Sequence, residues 1–263
     1  AGDARRGGAP TWYYPGRSCS AACGSSAAGG MTEEEAQSWL DQRGWWSGKA
    51  GDLLRQFVAM LLDEADRQNL ISASSRDHVW ARHIVDSAQL LALPGLFERA
   101  SEGLWVDLGT GAGLPGMVIA CLTNTPVRLV EVRPLRVAFL RRCAEALELC
   151  HVDVVGSKVE RANLGEAAGI ISARAYAPLD RLLTSAHHLS DENTIWLLPK
   201  GRQGEKELEI IRRDWQAVFH VEQSITDPES VIVTIQKLHR AQTNRLPALR
   251  GKSSRSFRGR SHS

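Results

Sequence analysis

The sequence predicts an α/β fold in which a mostly parallel sheet, covered by helices on both faces, follows a helical N-terminal part. Three features predict it: apolar residues with helical spacing before residue 100, short apolar segments alternating with helical ones after Gly103, and a glycine-rich loop behind the first short segment. The alternation is typical of βαβ units. Sheets of this kind bind ligands beyond the carboxyl ends of their strands, which is where the glycine-rich loop lies.

The helical part begins at Met31. Thr32 is followed three residues later by Glu35, a capping box that opens a short helix. Apolar positions 53/54, 57/58 and 61/62 repeat with the helical period, and positions 80, 84, 87/88 and 91 predict a further helix that ends before Pro94. We expect residues 31–100 to form a small helical cap.

The strands and helices of the sheet follow in alternation. Apolar segments predict strands at 104–108, 127–132, 152–155, 168–173, 194–199 and 230–236. Helical segments lie between them, near 115–122, 135–149, 179–189 and 203–214. Residues 101–236 are therefore expected to form the ligand-binding domain.

The two ends of the chain differ in composition from the rest. Residues 1–30 are rich in Gly, Ala and Ser and are interpreted as a disordered or expression-derived extension. Residues 237–263 carry eight Lys or Arg and no Asp or Glu, which leaves 24 basic and 30 acidic residues elsewhere. This basic tail is predicted to be disordered, and either contacts a phosphate backbone or only increases solubility.

Composition excludes several classes of protein. The chain has no apolar run of membrane-spanning length and no signal-peptide pattern at its start, so we expect a cytoplasmic protein without a membrane partner. Its five cysteines show neither a disulfide framework nor zinc spacing, and no metal site is expected. Cys121 and Cys143 fall on helical segments and are interpreted as small core residues.

The glycine-rich loop "DLGTGAGLPG" (107–116) admits two kinds of ligand. Gly111, Gly113 and Gly116 fit G-x-G-x-x-G, and Glu131 follows Gly111 by 20 residues, as in dinucleotide sites. Asp107, however, would place a carboxylate near a pyrophosphate, which is unfavourable. S-adenosylmethionine carries an ammonium and a sulfonium instead. The loop favours this methyl donor and leaves a nucleotide- or dinucleotide-binding oxidoreductase domain as the alternative.

From about Trp39 to Ile235 the chain resembles the RsmG family, also called GidB. The matching segments are "NLIS" (69–72), "WARHIVDS" (80–87), "DLGTGAGLPG" (107–116), "LVEVRPLRVAFLR" (129–141), "SKVE" (157–160), "SARA" (172–175) and "LPKG" (198–201). One position departs from the family, which usually has arginine where this chain has Lys158.

The resemblance implies a Rossmann-like class I methyltransferase fold with a seven-stranded sheet. It implies methyl transfer from S-adenosylmethionine to N7 of a guanine in the decoding-region loop of bacterial 16S rRNA. The expected partner is 16S rRNA in the small ribosomal subunit or in an assembly intermediate, and the expected state is a monomer. A ribosome-binding factor that keeps an unused cofactor pocket is a further alternative.

The resemblance also implies the residues of the donor site. It carries over Gly109, Leu114, Val159, Glu160 and Arg174. The loop pattern adds Asp107, Gly111 and Gly113, and an acidic residue ending the second strand, Glu131, is placed to accept from ribose hydroxyls.

No general base is expected, because guanine N7 carries no proton and has a free lone pair. Orientation of donor and acceptor can then supply most of the rate. The candidates for positioning are His83, Asp86, Arg174 and Lys200, of which His83 and Asp86 are equally well explained as a structural pair. Trp45 and Trp46 are expected to pack in the helical part rather than to stack on bases.

Overall fold

The computed structural model of the chain describes residues 30–100 and 103–241. One sheet contains seven strands: β1 (Trp105–Leu108), β2 (Val127–Glu131), β3 (Val152–Gly156), β4 (Ile170–Ser172), β5 (Ile195–Lys200), β6 (Trp215–Gln223) and β7 (Val231–Arg240). Their order across the sheet is β3-β2-β1-β4-β5-β7-β6. The first five strands are parallel, and β7 is antiparallel to both of its neighbours. The predicted fold class is confirmed.

Helices surround this sheet. They are α1 (Glu33–Asp41), α2 (Gly48–Ala65), α3 (Ala73–Arg76), α4 (Asp86–Ala88), α5 (Leu96–Ala100), α6 (Gly116–Leu122), α7 (Pro134–Ala146), α8 (Leu179–Ala186) and α9 (Gly204–Ile211). A π-helical turn at Trp80–Val85 precedes α4, and 3-10 turns lie at Gln89–Ala92, Val159–Arg161 and His187–Leu189. Within the described residues, no helix combines the length and apolar character needed to cross a bilayer.

Two apolar cores lie on opposite faces of the sheet, because successive strand residues point to opposite sides. Trp105 packs on one face in a core shared with Leu54 and Phe57 of α2 and with residues of α6 and α7. Val106 packs on the other face with Leu183 of α8 and residues of α9. The N-terminal helices thus form a layer on the sheet and share its core.

The capping box that opens α1 is present as predicted. The Glu35 backbone N–H donates to Thr32 Oγ1 at 3.2 Å, and the Thr32 N–H donates to the Glu35 carboxylate at 2.9 Å. Glu33 of the same turn accepts from the backbone N–H groups of Trp80 and Ala81, at 3.1 and 2.8 Å. The first turn of α1 therefore also satisfies the start of the π-helical turn.

The predicted secondary structure was wrong in three places. Strand β6 was missed because it is an edge strand whose residues are mostly exposed, so "WQAVFHVEQ" lacks a continuous apolar run. Strand β7 continues to Arg240, so the predicted start of the tail at residue 237 lies inside a strand. The predicted single helix over 80–91 is divided among π-helical, α-helical and 3-10 turns. The extension at residues 1–29 and the tail beyond 241 lie outside the described residues.

Candidate active site

The glycine-rich loop leaves the carboxyl end of β1 in a left-handed conformation. The φ angles of Gly109 and Gly111 are +60° and +58°, a region that side chains rarely adopt. Gly116 is required for a different reason. A Cβ atom there would lie 2.4 Å from Leu129 Cδ2 and 2.8 Å from Asp107 Cβ, so only glycine lets α6 approach β1 and β2. The loop combines a left-handed turn, which glycine adopts without strain, with close helix–strand packing.

Asp107 does not face the open side of this loop. Its side chain is fully buried on the same face of β1 as Trp105. One carboxylate oxygen accepts from the Gly116 backbone N–H at 3.0 Å, and the other accepts from Ser172 Oγ at 2.8 Å. Trp105 Nε1 in turn donates to Ser172 Oγ at 2.9 Å. The expected direct contact with a ligand is therefore corrected: Asp107 fixes the start of α6 to strands β1 and β4.

Burial raises the pKa of Asp107 to about 6. Its native state therefore holds a proton more tightly than the unfolded chain, whose aspartate titrates near 3.8. The stability contributed by the neutral form is present below about pH 4 and is lost as the pH rises through 6, by about 3 kcal/mol in total.

Asp107→Asn should remove this pH dependence while keeping the fold. The amide oxygen can still accept from Gly116, and the amide nitrogen can donate to Ser172 Oγ. Urea unfolding of both proteins between pH 4 and 8 measures the difference. An equally steep decline in the Asn variant would show that another group causes it.

Glu131 ends β2 beside the loop, with 5% of its surface exposed. Its carboxylate accepts from the backbone N–H of Gly111 at 3.0 Å and from those of Val132 and Arg133 at 2.8 Å each. The loop and the end of β2 are thus joined through one carboxylate. The Glu131 carboxylate is thus a fixed acceptor at the carboxyl edge of the sheet. It lies next to the backbone of Gly111, which carries no Cβ.

The other implied donor residues lie at the same edge of the sheet. Leu114 follows the glycines and is buried, with 4% of its surface exposed. Val159 is equally buried in the 3-10 turn after β3, whereas Glu160 and Lys158 beside it are exposed. The structure thus brings these turns to the same edge of the sheet as the glycine-rich loop.

Arg174, just after β4, joins the sheet to the N-terminal helices. Its guanidinium donates to Asp86 Oδ2 at 2.9 Å and to the Arg82 backbone carbonyl at 3.1 Å. It also lies 3.1 Å from His83 Nδ1. His83 and Asp86 therefore do not contact each other directly but share Arg174. Asp86 additionally accepts from Thr226 Oγ1 at 2.9 Å, in the turn between β6 and β7.

The surroundings of His83 keep its imidazole neutral. A guanidinium has no acceptor, so Nδ1 must accept from Arg174, and Nε2 must carry the proton that it donates to Ser75 Oγ at 2.9 Å. Burial, followed by the charges of Arg174 and Arg82, lowers the pKa of His83 to about 3. This side chain cannot take up a proton near neutral pH.

Lys200, proposed above as a positioning residue, is enclosed by its own chain. Its side chain is 11% exposed, and its ammonium donates to the Ala177 carbonyl at 2.8 Å and to Glu207 at 3.0 Å. Glu207 also accepts from the Leu179 backbone N–H at 2.8 Å. Lys200 thus fixes the segment before α8 to α9, and its role in positioning is indirect.

The two tryptophans expected to pack in the helical part are half-buried against its core, and the two cysteines are buried. Trp45 contacts Trp39 edge to face and stacks on Phe97, and Trp46 meets Trp80 edge to face. Burial raises the pKa of the thiols of Cys121 and Cys143 to about 12, so neither is a nucleophile. The part of the chain that the structure describes holds no group of three or more His, Cys, Asp or Glu side chains that could bind a metal ion.

Tyr176 is the residue of the site that sequence reasoning missed. Its ring lies against Gly109, where an added Cβ would come within 2.3 Å of Tyr176 Cδ2. The ring is half-buried. A signal was available in the sequence: Tyr176 is the aromatic residue of the segment "SARAYAPL" that follows β4, at the same edge of the sheet as the loop.

Comparisons with known proteins identify the family of the chain. The profile of the GidB family, described as rRNA small subunit methyltransferase G, matches residues 51–233. The ribosomal RNA small subunit methyltransferase G of Sphingopyxis alaskensis is 50% identical over 201 residues, covering 76% of this chain and 84% of the relative. The protein of the same name from Novosphingobium aromaticivorans is 48% identical over 204 residues, covering 77% and 87%.

Among solved structures, the glycopeptide N-methyltransferase MtfA complexed with S-adenosylmethionine is 13% identical. It aligns at a TM-score of 0.48 over 59% of this chain and 93% of its own. The sequence matches establish the family, and the range matched by the family profile spans the glycine-rich loop, Glu131 and Arg174. The chain belongs to the GidB family, the rRNA small subunit methyltransferases G.

Proposed function

We propose that this protein transfers the methyl group of S-adenosylmethionine to N7 of a guanine in the decoding-region loop of 16S rRNA. One observation carries the proposal. In a chain of this family, the left-handed glycine loop after β1 is hydrogen-bonded to the Glu131 carboxylate at the end of β2. Because the substrate is ribosomal RNA, the proposal places the enzyme in the cytoplasm. The substrate is the small subunit or its assembly intermediate.

The residues present fit the donor. Glu131 supplies an acceptor for ribose hydroxyls, and Gly109 has no Cβ, so a ligand that displaces the Tyr176 ring can reach its backbone. Leu114 and Val159 are buried apolar residues of the same group of turns. Glu160 is exposed beside them, with a carboxylate that suits a cationic ligand. When bound, the donor supplies an electrophilic methyl group, and the chain has only to align it with the acceptor.

The sheet argues against the oxidoreductase alternative. A dinucleotide-binding domain of the doubly wound type has the strand order 3-2-1-4-5-6. Here the antiparallel β7 lies between β5 and β6. Titration calorimetry of the full chain should therefore detect binding of S-adenosylhomocysteine and none of NAD. The reverse result would favour the oxidoreductase.

Exposed cations follow the strand ends at the edge that holds the loop. Arg133 follows β2, and Lys158 and Arg161 follow β3. Arg202 after β5 is also exposed but pairs with Glu229. Cations so placed can neutralise phosphates of an RNA whose base reaches the donor loop.

The absence of a catalytic base has a testable consequence. The rate of methyl transfer under single-turnover conditions should vary by less than about twofold between pH 6 and 9, because neither guanine N7 nor His83 titrates there. His83→Asn keeps an acceptor for Arg174 and should keep most of the rate, whereas His83→Ala should lower it without changing the pH profile. The mechanism would be contradicted if the wild-type rate rose steeply with a midpoint near pH 6.5 and if the His83→Asn variant were inactive and lacked that rise.

A factor that binds the ribosome without turnover remains distinguishable by one assay. Methylation of small subunits that lack the modification, with labelled donor, should show at least one turnover per enzyme. Donor binding without methyl transfer to subunits or to their assembly intermediates would favour the inactive factor.

A further inference from the structure

We propose that the ring of Tyr176, which lies on Gly109 of the donor loop, turns when the donor binds and becomes the stacking surface for the target guanine. The inference rests on the proposed function. It assigns a substrate-contacting role to a residue that neither the loop pattern nor the positioning candidates include.

The first observation is the contact with Gly109. A Cβ at Gly109 would lie 2.3, 3.1 and 3.3 Å from Cδ2, Cε2 and Cγ of Tyr176, so the ring lies directly on the backbone of the loop. The close packing of this ring explains why residue 109 is a glycine. A donor that uses the exposed backbone of Gly109 must share this space with the ring or displace it.

The second observation is how firmly the backbone around Tyr176 is held. Arg174 is bonded to the N-terminal helices, and the Ala177 carbonyl accepts from Lys200. Between them, Ala175 has φ +52°, a left-handed conformation that costs about 1–2 kcal/mol for a residue with a Cβ. The strained residue persists because both flanks are fixed, and it sets the direction of the next side chain.

The third observation is that the ring itself is held only by packing. Tyr176 packs against the core of α8 and α9, and no hydrogen bond of its hydroxyl occurs among the described residues. A rotation of the side chain therefore breaks no polar contact. The backbone of Tyr176 stays in place, and its side chain can turn away from Gly109 toward the target guanine.

An aromatic ring beside the donor suits a guanine that must present N7. Stacking holds the plane of the base without using any of its hydrogen-bonding atoms, so the N7 lone pair stays free. Turning the ring away from Gly109 also exposes the loop and forms the stacking surface in one movement. Donor binding would then precede productive RNA binding.

Fluorine NMR tests the movement directly. The chain has three tyrosines, at 13, 14 and 176, and the signal of 3-fluorotyrosine that disappears in Tyr176→Phe belongs to Tyr176. Saturating S-adenosylhomocysteine should shift that signal in the full-length wild-type protein. An unmoved signal under conditions where calorimetry shows binding overturns the inference alone. Failure of the wild type to bind S-adenosylhomocysteine overturns the proposed function as well.

Two variants test the stacking role. Tyr176→Phe keeps the ring and should therefore restore most of the rate that Tyr176→Ala loses. Tyr176→Ala should bind S-adenosylhomocysteine at least as tightly as the wild type, yet transfer methyl groups about 5- to 150-fold more slowly. An Ala variant with an unchanged rate, or one whose donor affinity falls as much as its rate, would contradict the assignment. Wild-type circular dichroism in the Ala variant shows that it has folded.

Discussion

Gly111→Val is expected to weaken binding of S-adenosylhomocysteine by at least about 100-fold. A β-branched residue does not tolerate the φ of +58° at this position. Its Cβ would also meet a guanidinium nitrogen of Arg136 at 3.3 Å. The loop must therefore shift, and the hydrogen bond from the Gly111 N–H to Glu131 is lost with it. Calorimetric titration of the purified variant measures the effect.

Gly44→Val is the matched control. Gly44 has φ +69°, and an added Cβ there would meet no atom within 4 Å. It lies after α1, away from the strand ends that carry the loop. The control should show only the cost of the left-handed conformation, about 1–2 kcal/mol in unfolding, with donor affinity unchanged. Undiminished affinity in Gly111→Val would remove the loop from the donor site.

Arg174→Ala is expected to lower the free energy of unfolding by about 2–4 kcal/mol. Arg174 and Asp86 are 20% and 16% exposed, so the substitution leaves a largely buried carboxylate without its cation. It also removes the donor to His83 Nδ1 and to the Arg82 carbonyl. Because Arg174 is itself one of the proposed donor-site residues, donor affinity measured on the folded variant should fall too, by about tenfold. Urea unfolding and calorimetry measure the two effects.

Two further variants separate charge from geometry. Adding Asp86→Asn to the Ala variant removes the unpaired carboxylate and should restore part of the lost stability. Arg82→Ala changes an exposed cation in the same cluster and should alter stability by less than about 0.5 kcal/mol. If Arg174→Ala unfolds like the wild type, the contact between Arg174 and the N-terminal helices does not stabilise the protein.

The parts of the site that follow from short-range rules were predictable from the sequence. The order of strands and helices follows from the apolar pattern, and the glycine loop and Glu131 follow from their spacing. The orientation of Asp107 could also have been inferred. In a strand, residues two apart share a face, so Asp107 lies on the face of Trp105, which is covered by helices.

The remaining features depend on contacts between distant segments. The shared contact of His83 and Asp86 with Arg174 joins residues about 90 positions apart, across a π-helical turn that the helical period does not reveal. Strand β6 is stabilised by pairing with β7 rather than by an apolar run of its own. The position of the Tyr176 ring depends on contacts of Arg174 and Lys200. These two residues lie in different parts of the chain and belong to no common sequence motif.

The central claim is that a guanine N7 of 16S rRNA receives the methyl group. Its most direct test incubates the purified full-length chain with small subunits that lack the modification and with S-adenosylmethionine carrying a trideuterated methyl group. Mass spectrometry of the rRNA nucleosides should then find the label in 7-methylguanosine, at up to one group per subunit. Label in a methylated adenosine, a methylated cytidine or N2-methylguanosine, or no label in any nucleoside, would contradict the account.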